Sequence, residues 1–383
     1  MSRKAISKSL KSLSKSVALI PLYSSSSNAD APPTYTELGL NFTRYKEQSL
    51  DPEKVIYGSS RRYDIEVSQG SFITPLGRNW SFALDVQHDA MTGASPWFVG
   101  TTNNDRPGVI MSGASISDNR TEISSTTRYY FDNGNAGVKL SHSEEDDYKA
   151  KAASVDISLN SPDNLRTYTL ALSGSKDTIR PTQGKIPTNF ESGQKDTKSM
   201  WIAVSQIFSK TVITKLGFSY TRHEGNLSDP YKLLDLRPRN RSQRTWNFSY
   251  RQHLNRPNAA LRMDYRYYDD TWGIDSHTLT TEWYQNFHRT AIIPYLRYYS
   301  QSKADFFSTV SNTERSYYSD DYRLCSFGAI TVGVRAEYFL RNWRFELQAE
   351  KYRTDDDWGV SSRDSSPALV EFWRASLGVR YRF

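Results

Sequence analysis

Charged residues recur at two-residue spacing through the second half of the chain: Arg262, Asp264 and Arg266; Arg335 and Glu337; Arg344, Glu346 and Glu350; Arg374 and Arg380. Arg251, Glu282 and Arg297 take the corresponding polar positions of their own candidate strands. Charges of both signs in this pattern can pair across neighbouring strands or line a wet passage for polar solutes. A second set is purely acidic. Glu144-Glu145-Asp146-Asp147, Asp269-Asp270, Asp320-Asp321 and Asp355-Asp356-Asp357 are clustered carboxylates, the ligand type of hard cations, so Ca²⁺ or Mg²⁺ is what they would hold as a structural ion. Solvated loop acids that aid solubility are the plainer account of the same runs.

Familiar catalytic patterns do not occur. His88, His142, His223, His253, His277 and His288 are scattered, with no HExxH, CxxCH, GxSxG or phosphate-binding loop around them. A serine hydrolase site assembled in space is the remaining enzymatic alternative, and no serine stands out for it. No cofactor is called for. Cys325 is the only cysteine, which excludes an internal disulfide; it reads as a small filler residue on the inward face of a strand.

Period two is the side-chain period of a strand, so each such strand has one apolar and one polar face. The last one shows it plainly. Trp373, Ala375, Leu377, Val379, Tyr381 and Phe383 alternate with Arg374, Ser376, Gly378, Arg380 and Arg382. Composition selects the solvents. The 383 residues are 24% charged and 13% aromatic, with mean hydropathy −0.67 and no apolar run long enough for a membrane helix. Only helices and closed barrels span a bilayer, so the expected class is all-β: a transmembrane antiparallel β-barrel.

Sixteen candidate strands fit residues 35–383, with fourteen or eighteen as alternatives because 143–160 divides in more than one way. Tight connections near residues 75–79, 132–135, 160–164, 208–210, 255–258, 286–289 and 340–342 alternate with connections that are mostly long. That is the asymmetry of short periplasmic turns and long extracellular loops. Leu38, Leu40, Phe42, Leu216, Phe218, Val332, Val334 and Leu347 then face lipid, and the charged residues named first face the lumen. A charge turned to lipid at the midplane costs about 2–4 kcal/mol for Arg or Lys, which is why the pattern must hold on every strand. Leu377, Val379, Tyr381 and Phe383 have the form of a C-terminal signal for the outer-membrane insertion machinery.

Residues 1–31, basic and then weakly apolar before Ala29-Asp30-Ala31, read as a signal peptide; 32–383 is the barrel. The net charge of +7 is interleaved with acids and forms no patch for nucleic acid. The acidic runs fall at the outer rim, where cations would bridge to lipopolysaccharide. Two connections stand out. HDAMTGASPW (88–97) opens a long connection able to fold inward as a constriction or outward as a binding surface. DPYKLLDLRPRNRSQR (229–244), with four arginines and a lysine, could serve anionic ligand or partner recognition, but reads first as an exposed basic loop.

The chain resembles the outer-membrane proteins catalogued as domain of unknown function 3570. The stretches DAMTGASPW (89–97), SHSEEDDYKAKAASVDISLN (141–160), SDPYKLLDLRPRNRSQR (228–244), MDYRYYDDTWGIDSHTLTTEW (263–283), PYLRYYSQSKADFF (294–307) and DYRLCSFGAITVGV (321–334) carry the resemblance. It implies an exported barrel in the outer membrane of a Gram-negative bacterium. Members tend to be encoded beside a small lipoprotein-like peptide, a thioredoxin-like protein and a flavin transferase, which implies a small periplasmic or lipoprotein redox partner. The family supplies no catalytic residue to carry over. The expected role is a pore for small polar solutes, with a scaffold for such a partner as the alternative.

Overall fold

The computed structural model describes residues 31–112, 116–182, 188–232, 234–310, 313–360 and 364–383. The signal reading over residues 1–31 therefore lies almost wholly outside the described residues. The first strands are β1 (Glu37–Glu47), β2 (Val55–Tyr57), β3 (Asp64–Leu76), β4 (Trp80–Gly93), β5 (Pro96–Thr101), β6 (Pro107–Met111) and β7 (Ile116–Phe131). There follow β8 (Gly134–Glu144), β9 (Tyr148–Asn160), β10 (Arg166–Ile179), β11 (Gly193–Ser209), β12 (Val212–Gly225) and β13 (Asn240–Leu254). The last are β14 (Ala259–Asp270), β15 (Asp275–Phe287), β16 (Thr290–Gln301), β17 (Phe327–Leu340), β18 (Trp343–Asp355) and β19 (Phe372–Arg382).

Sixteen of these close into one antiparallel barrel: β1, β3, β4 and β7 to β19 in sequence order, with β19 returning to β1. Closure leaves no unpaired edge, the condition for a sheet to sit in lipid. The seam is complete: Leu40 pairs with Val379 and Phe42 with Leu377, and the Phe383 N–H donates to Thr36 O at 2.9 Å.

Pairing in register sorts the side chains. The outward set of each strand is apolar and exposed, as with Phe42, Leu140, Leu216, Val332, Leu347 and Leu377, and together they form a belt around the barrel. Aromatic pairs edge the belt: Trp80 on Tyr129 (4.7 Å between centroids) and Trp343 on Tyr381 (4.6 Å) at the tight-turn end, and Phe218 on Trp246 (4.6 Å) nearer the loops. Such amphipathic rings suit a water–lipid boundary. The tight turns use left-handed backbone at Gly77, Asn164, Asn258, His288 and Arg341. Glycine and asparagine are the residues that adopt it readily, whereas His288 and Arg341 carry no such signal in the sequence.

The loop end is a second compact layer. The expected long connection after β4 folds back as β5 and β6, which join β2 from the β1–β3 connection in a three-stranded sheet. Leu50, Ala94, Val109, Met111 and Ala368 make a small core beneath it. A larger core gathers Trp272, Ile274, Ala304, Phe306, Phe307, Leu324 and Cys325 from two connections. Cys325 thus lies in the loop layer, at the end of a 3-10 turn (Tyr322–Leu324), and not on the inward face of a strand as the sequence suggested. The apolar residues around it supply a core that strand periodicity does not register.

Candidate functional site

The inward wall is a lattice of ion pairs. Arg262 Nε lies 2.5 Å from Asp264 Oδ2, and its Nη1 is 3.7 Å from Glu282 Oε2. Arg335 reaches Glu282 at 3.9 Å and Glu337 at 3.4 Å; Arg344 reaches Glu337 at 2.8 Å and Glu346 at 3.4 Å. The ladder therefore spans five strands, β14 to β18, with its charges drawn from β14, β15, β17 and β18. Arg374 pairs with Glu350 at 3.0 Å, and Arg380 with Glu37 at 3.4 Å across the seam. Tyrosines stitch the gaps. Tyr284 donates to Glu282 at 2.8 Å and accepts from Arg335 at 2.8 Å, while Tyr295 donates to Glu350. Arg251, Arg266 and Arg297 share the inward register but join none of these pairs.

Sequence periodicity found the inward charges but missed the tyrosines, which look alike on either face. It also missed the opposite wall, where Arg128 forks onto Asp156 with two hydrogen bonds of 2.7 and 2.9 Å. Under the loop layer, Tyr45, Ile65, Val67 and Met91 line an inward apolar recess of about 40 Å³ beside Arg120 and Asp89. Four inward apolar side chains there break the polar rule of the wall.

Above the barrel, charge holds the loops to one another. Arg323 binds Asp321 and reaches Asp229 at 2.8 Å; Arg237 binds Asp235 at 2.8 Å and Asp321 at 2.7 Å. The Tyr231 hydroxyl donates to Asp147 at 2.6 Å, and Lys232, 2% exposed as a residue, is 3.7 Å from Asp320. The stretch 229–244, expected to be an exposed basic loop, instead has four of its five cations, Lys232, Arg237, Arg241 and Arg244, in ion pairs, while Arg239 stays exposed. Arg241 binds Asp270 at 2.8 Å through Nε, and Arg244 binds Asp269 at 2.6 Å. That expectation failed because most of the partners, Asp269, Asp270, Asp320 and Asp321, are far away in sequence, out of reach of any local pattern.

Burial alone would raise the Asp321 carboxyl, but Arg323, Lys232 and Arg237 outweigh it and hold Asp321 well below the usual carboxylate range. Asp235 is raised, because burial outweighs the attraction of Arg237. Burial pushes the Cys325 thiol up to about 12, so it stays a neutral filler at physiological pH.

The acidic runs separate into different roles. Asp320 and Asp321 are buried in the loop network, and Glu144 pairs with Lys149. Asp269 and Asp270 are held by arginines, and Asp146 is exposed in the β8–β9 connection. Two groups keep a spacing suited to a divalent cation: Asp118, Glu145 and Asp147, and Asp355, Asp356 and Asp357, each with carboxylate oxygens within 4.8 Å of one another. Asp118 comes from β7 and was not legible as a member. At the C-terminus, Leu377, Val379 and Tyr381 face outward in β19, and Phe383 packs edge-on against Tyr381 at 4.9 Å.

A family model described as a protein of unknown function, DUF3570, matches residues 13–364. The chain belongs to that family. No curated protein matches it. Among solved structures this DUF3570 chain is similar to CdiB from Acinetobacter baumannii, at 7% identity and a TM-score of 0.51, covering 92% of this chain and 60% of that one. The chain therefore spans about 60% of that protein's length. It is also similar to OccD3 (OpdP) of Pseudomonas aeruginosa, at 9% identity, TM-score 0.42, and 92% and 93% coverage. A third is a BenF-like porin of Pseudomonas fluorescens, at 10% identity, TM-score 0.41, and 91% and 98% coverage. The likeness to CdiB is one of fold alone.

Proposed function

We propose that this DUF3570 protein is a pore for small polar solutes in the outer membrane of a Gram-negative bacterium, with its loop layer acting as a cover on the outer mouth. The observation that carries the reading is the division of the wall into an outward apolar belt and an inward lattice of charged and tyrosine side chains. Such a lattice is stable only in contact with water or with itself, and it suits cargo that is polar. In this orientation the tight turns face the periplasm, and Leu377 to Phe383 present the signal for the insertion machinery.

The loop layer supports the cover. Asp147 (β8–β9), the adjacent Tyr231 and Lys232 (β12–β13), Asp320 (β16–β17) and Val99 (β5) form an unbroken chain of contacts. The β8–β9 and β16–β17 connections stem from opposite sides of the barrel, so the chain crosses the mouth.

The paired ladder favours a second reading: a scaffold that holds a small periplasmic or lipoprotein redox partner, with the chemistry residing in that partner. Liposome swelling separates the two. A pore admits small sugars and amino acids at rates that fall with solute size. A scaffold leaves swelling at the level of protein-free liposomes.

A further inference from the structure

We propose that the lumen selects small anions, drawn along one wall by Lys215, Arg251, Arg266 and Arg297; this rests on the pore reading above. Other inward cations are neutralised, Arg120 by Asp89 at 2.7 Å, Arg128 by Asp156, Arg335 by Glu337 and Arg374 by Glu350. Among the described residues these four have no ion pair. All four lie on β12, β13, β14 and β16, one contiguous sector of the barrel.

Register places them in three successive inward rows. Lys215 lies opposite Ser249, Ser249 opposite Asp264, Asp264 opposite Thr280, and Thr280 opposite Arg297. Lys215 and Arg297 therefore share one register row, which the strand tilt inclines to the barrel axis. Arg251 follows Ser249 by two residues toward the tight-turn end, and Arg266 follows Asp264 by two toward the loops. At about 3.3 Å per residue the rows are roughly 7 Å apart, a spacing that lets an ion pass from one weak site to the next.

The sector's own carboxylates are already engaged. Asp264 is held by Arg262 and the Ser249 hydroxyl, and Glu282 is shared between Arg262 and Arg335. Lys215 Nζ lies 5.8 Å from the Trp201 ring and Arg266 Cζ 5.9 Å from the Tyr268 ring. These ring contacts steady the side chains against the wall but leave a full positive charge. Lys215 and Arg251 also repel one another, as do Arg266 and Arg297. A mobile anion relieves both repulsions. On the far side Lys139 also has no ion pair among the described residues, but the Asp85 carboxylate attracts it across the wall, so the excess of positive charge lies in the one sector.

The test is the reversal potential of the full-length protein in a planar bilayer under a KCl gradient, run beside a variant in which 96–111 are replaced by two glycines. Channels with chloride preferred over potassium are expected. Arg266→Gln with Arg297→Gln should lower that preference by about fivefold, the scale of one close charge in water. Lys198→Gln, on the outer face, should leave it unchanged. Conducting channels that prefer potassium, discriminate neither ion, or ignore the double substitution would overturn anion selection while leaving the pore intact. Silence from both proteins, with each folded by heat-modifiable migration, would overturn the pore reading and this inference together.

Discussion

Val99 and Asp320, 221 residues apart in sequence, are joined by a hydrogen bond from the Val99 N–H to Asp320 Oδ2 at 2.7 Å. One sits in the small sheet that grows from β4, the other in the connection from β16 to β17. A backbone donor fastened to a buried carboxylate fixes the small sheet against the far loops, so the loop layer moves as a unit or not at all.

Arg323 is the hub of that layer, touching Asp321 and Asp229. Arg323→Met leaves two buried carboxylates under-compensated, and losing one partner of a buried pair typically costs about 3–5 kcal/mol. The loss should fall on the loops. Amide exchange in 226–232 and 313–326 is expected to quicken by orders of magnitude, with the strand amides of β8 to β11 unchanged.

Acid should loosen the same layer. Asp321 is held below its unfolded value, so its contribution is present above the ordinary carboxylate pKa of about 3.9 and is lost as pH falls through the lower folded value. Asp235 is shifted the opposite way; its protonation favours the fold, and it offsets part of the loss. Loop amides should therefore lose protection only below about pH 4. Asp321→Asn, which removes the titrating group, should flatten the profile.

The two faces of β18 make a paired test. Leu347 is 58% exposed on the outer belt, whereas Gln348 faces the lumen. Leu347→Arg near mid-belt should destabilise the barrel by about 2–4 kcal/mol in a lipid-vesicle unfolding titration. Gln348→Arg should change the same midpoint little. Equal effects at the two positions would refute the assignment of faces.

Gly58 has φ +94°, and a Cβ there would sit 2.1 Å from Met111 O. Gly58→Ala combines strained backbone with a steric clash that a backbone atom cannot relieve cheaply. It should detach β2 from β6 and raise protease cleavage within 50–60, with the barrel intact.

The barrel was legible because every wall strand repeats one local rule, apolar outward and polar inward, between turns of Asn, Gly and Pro. Strand count, loop asymmetry and the inward position of Arg262, Glu282, Arg335, Glu337, Arg344 and Arg374 all follow from it. The loop layer was not legible. Its pairs, Arg323 with Asp229 and Lys232 with Asp320, join separate connections and have no period. Arg237 and Lys232 therefore looked like solvated charge, and Cys325 like a strand residue. Asp118, on β7, was missed for the same reason, its neighbours Glu145 and Asp147 lying in the β8–β9 connection.

The most direct measurement is single-channel conductance of the intact protein against the variant with 96–111 replaced by two glycines. Ser112 N–H already donates to Ser95 O at 2.9 Å, so the shortened ends meet without strain. A covered pore predicts large, steady steps from the variant and smaller or rarer ones from the intact chain. Silence from both, with the barrel folded, would contradict the pore and leave the scaffold.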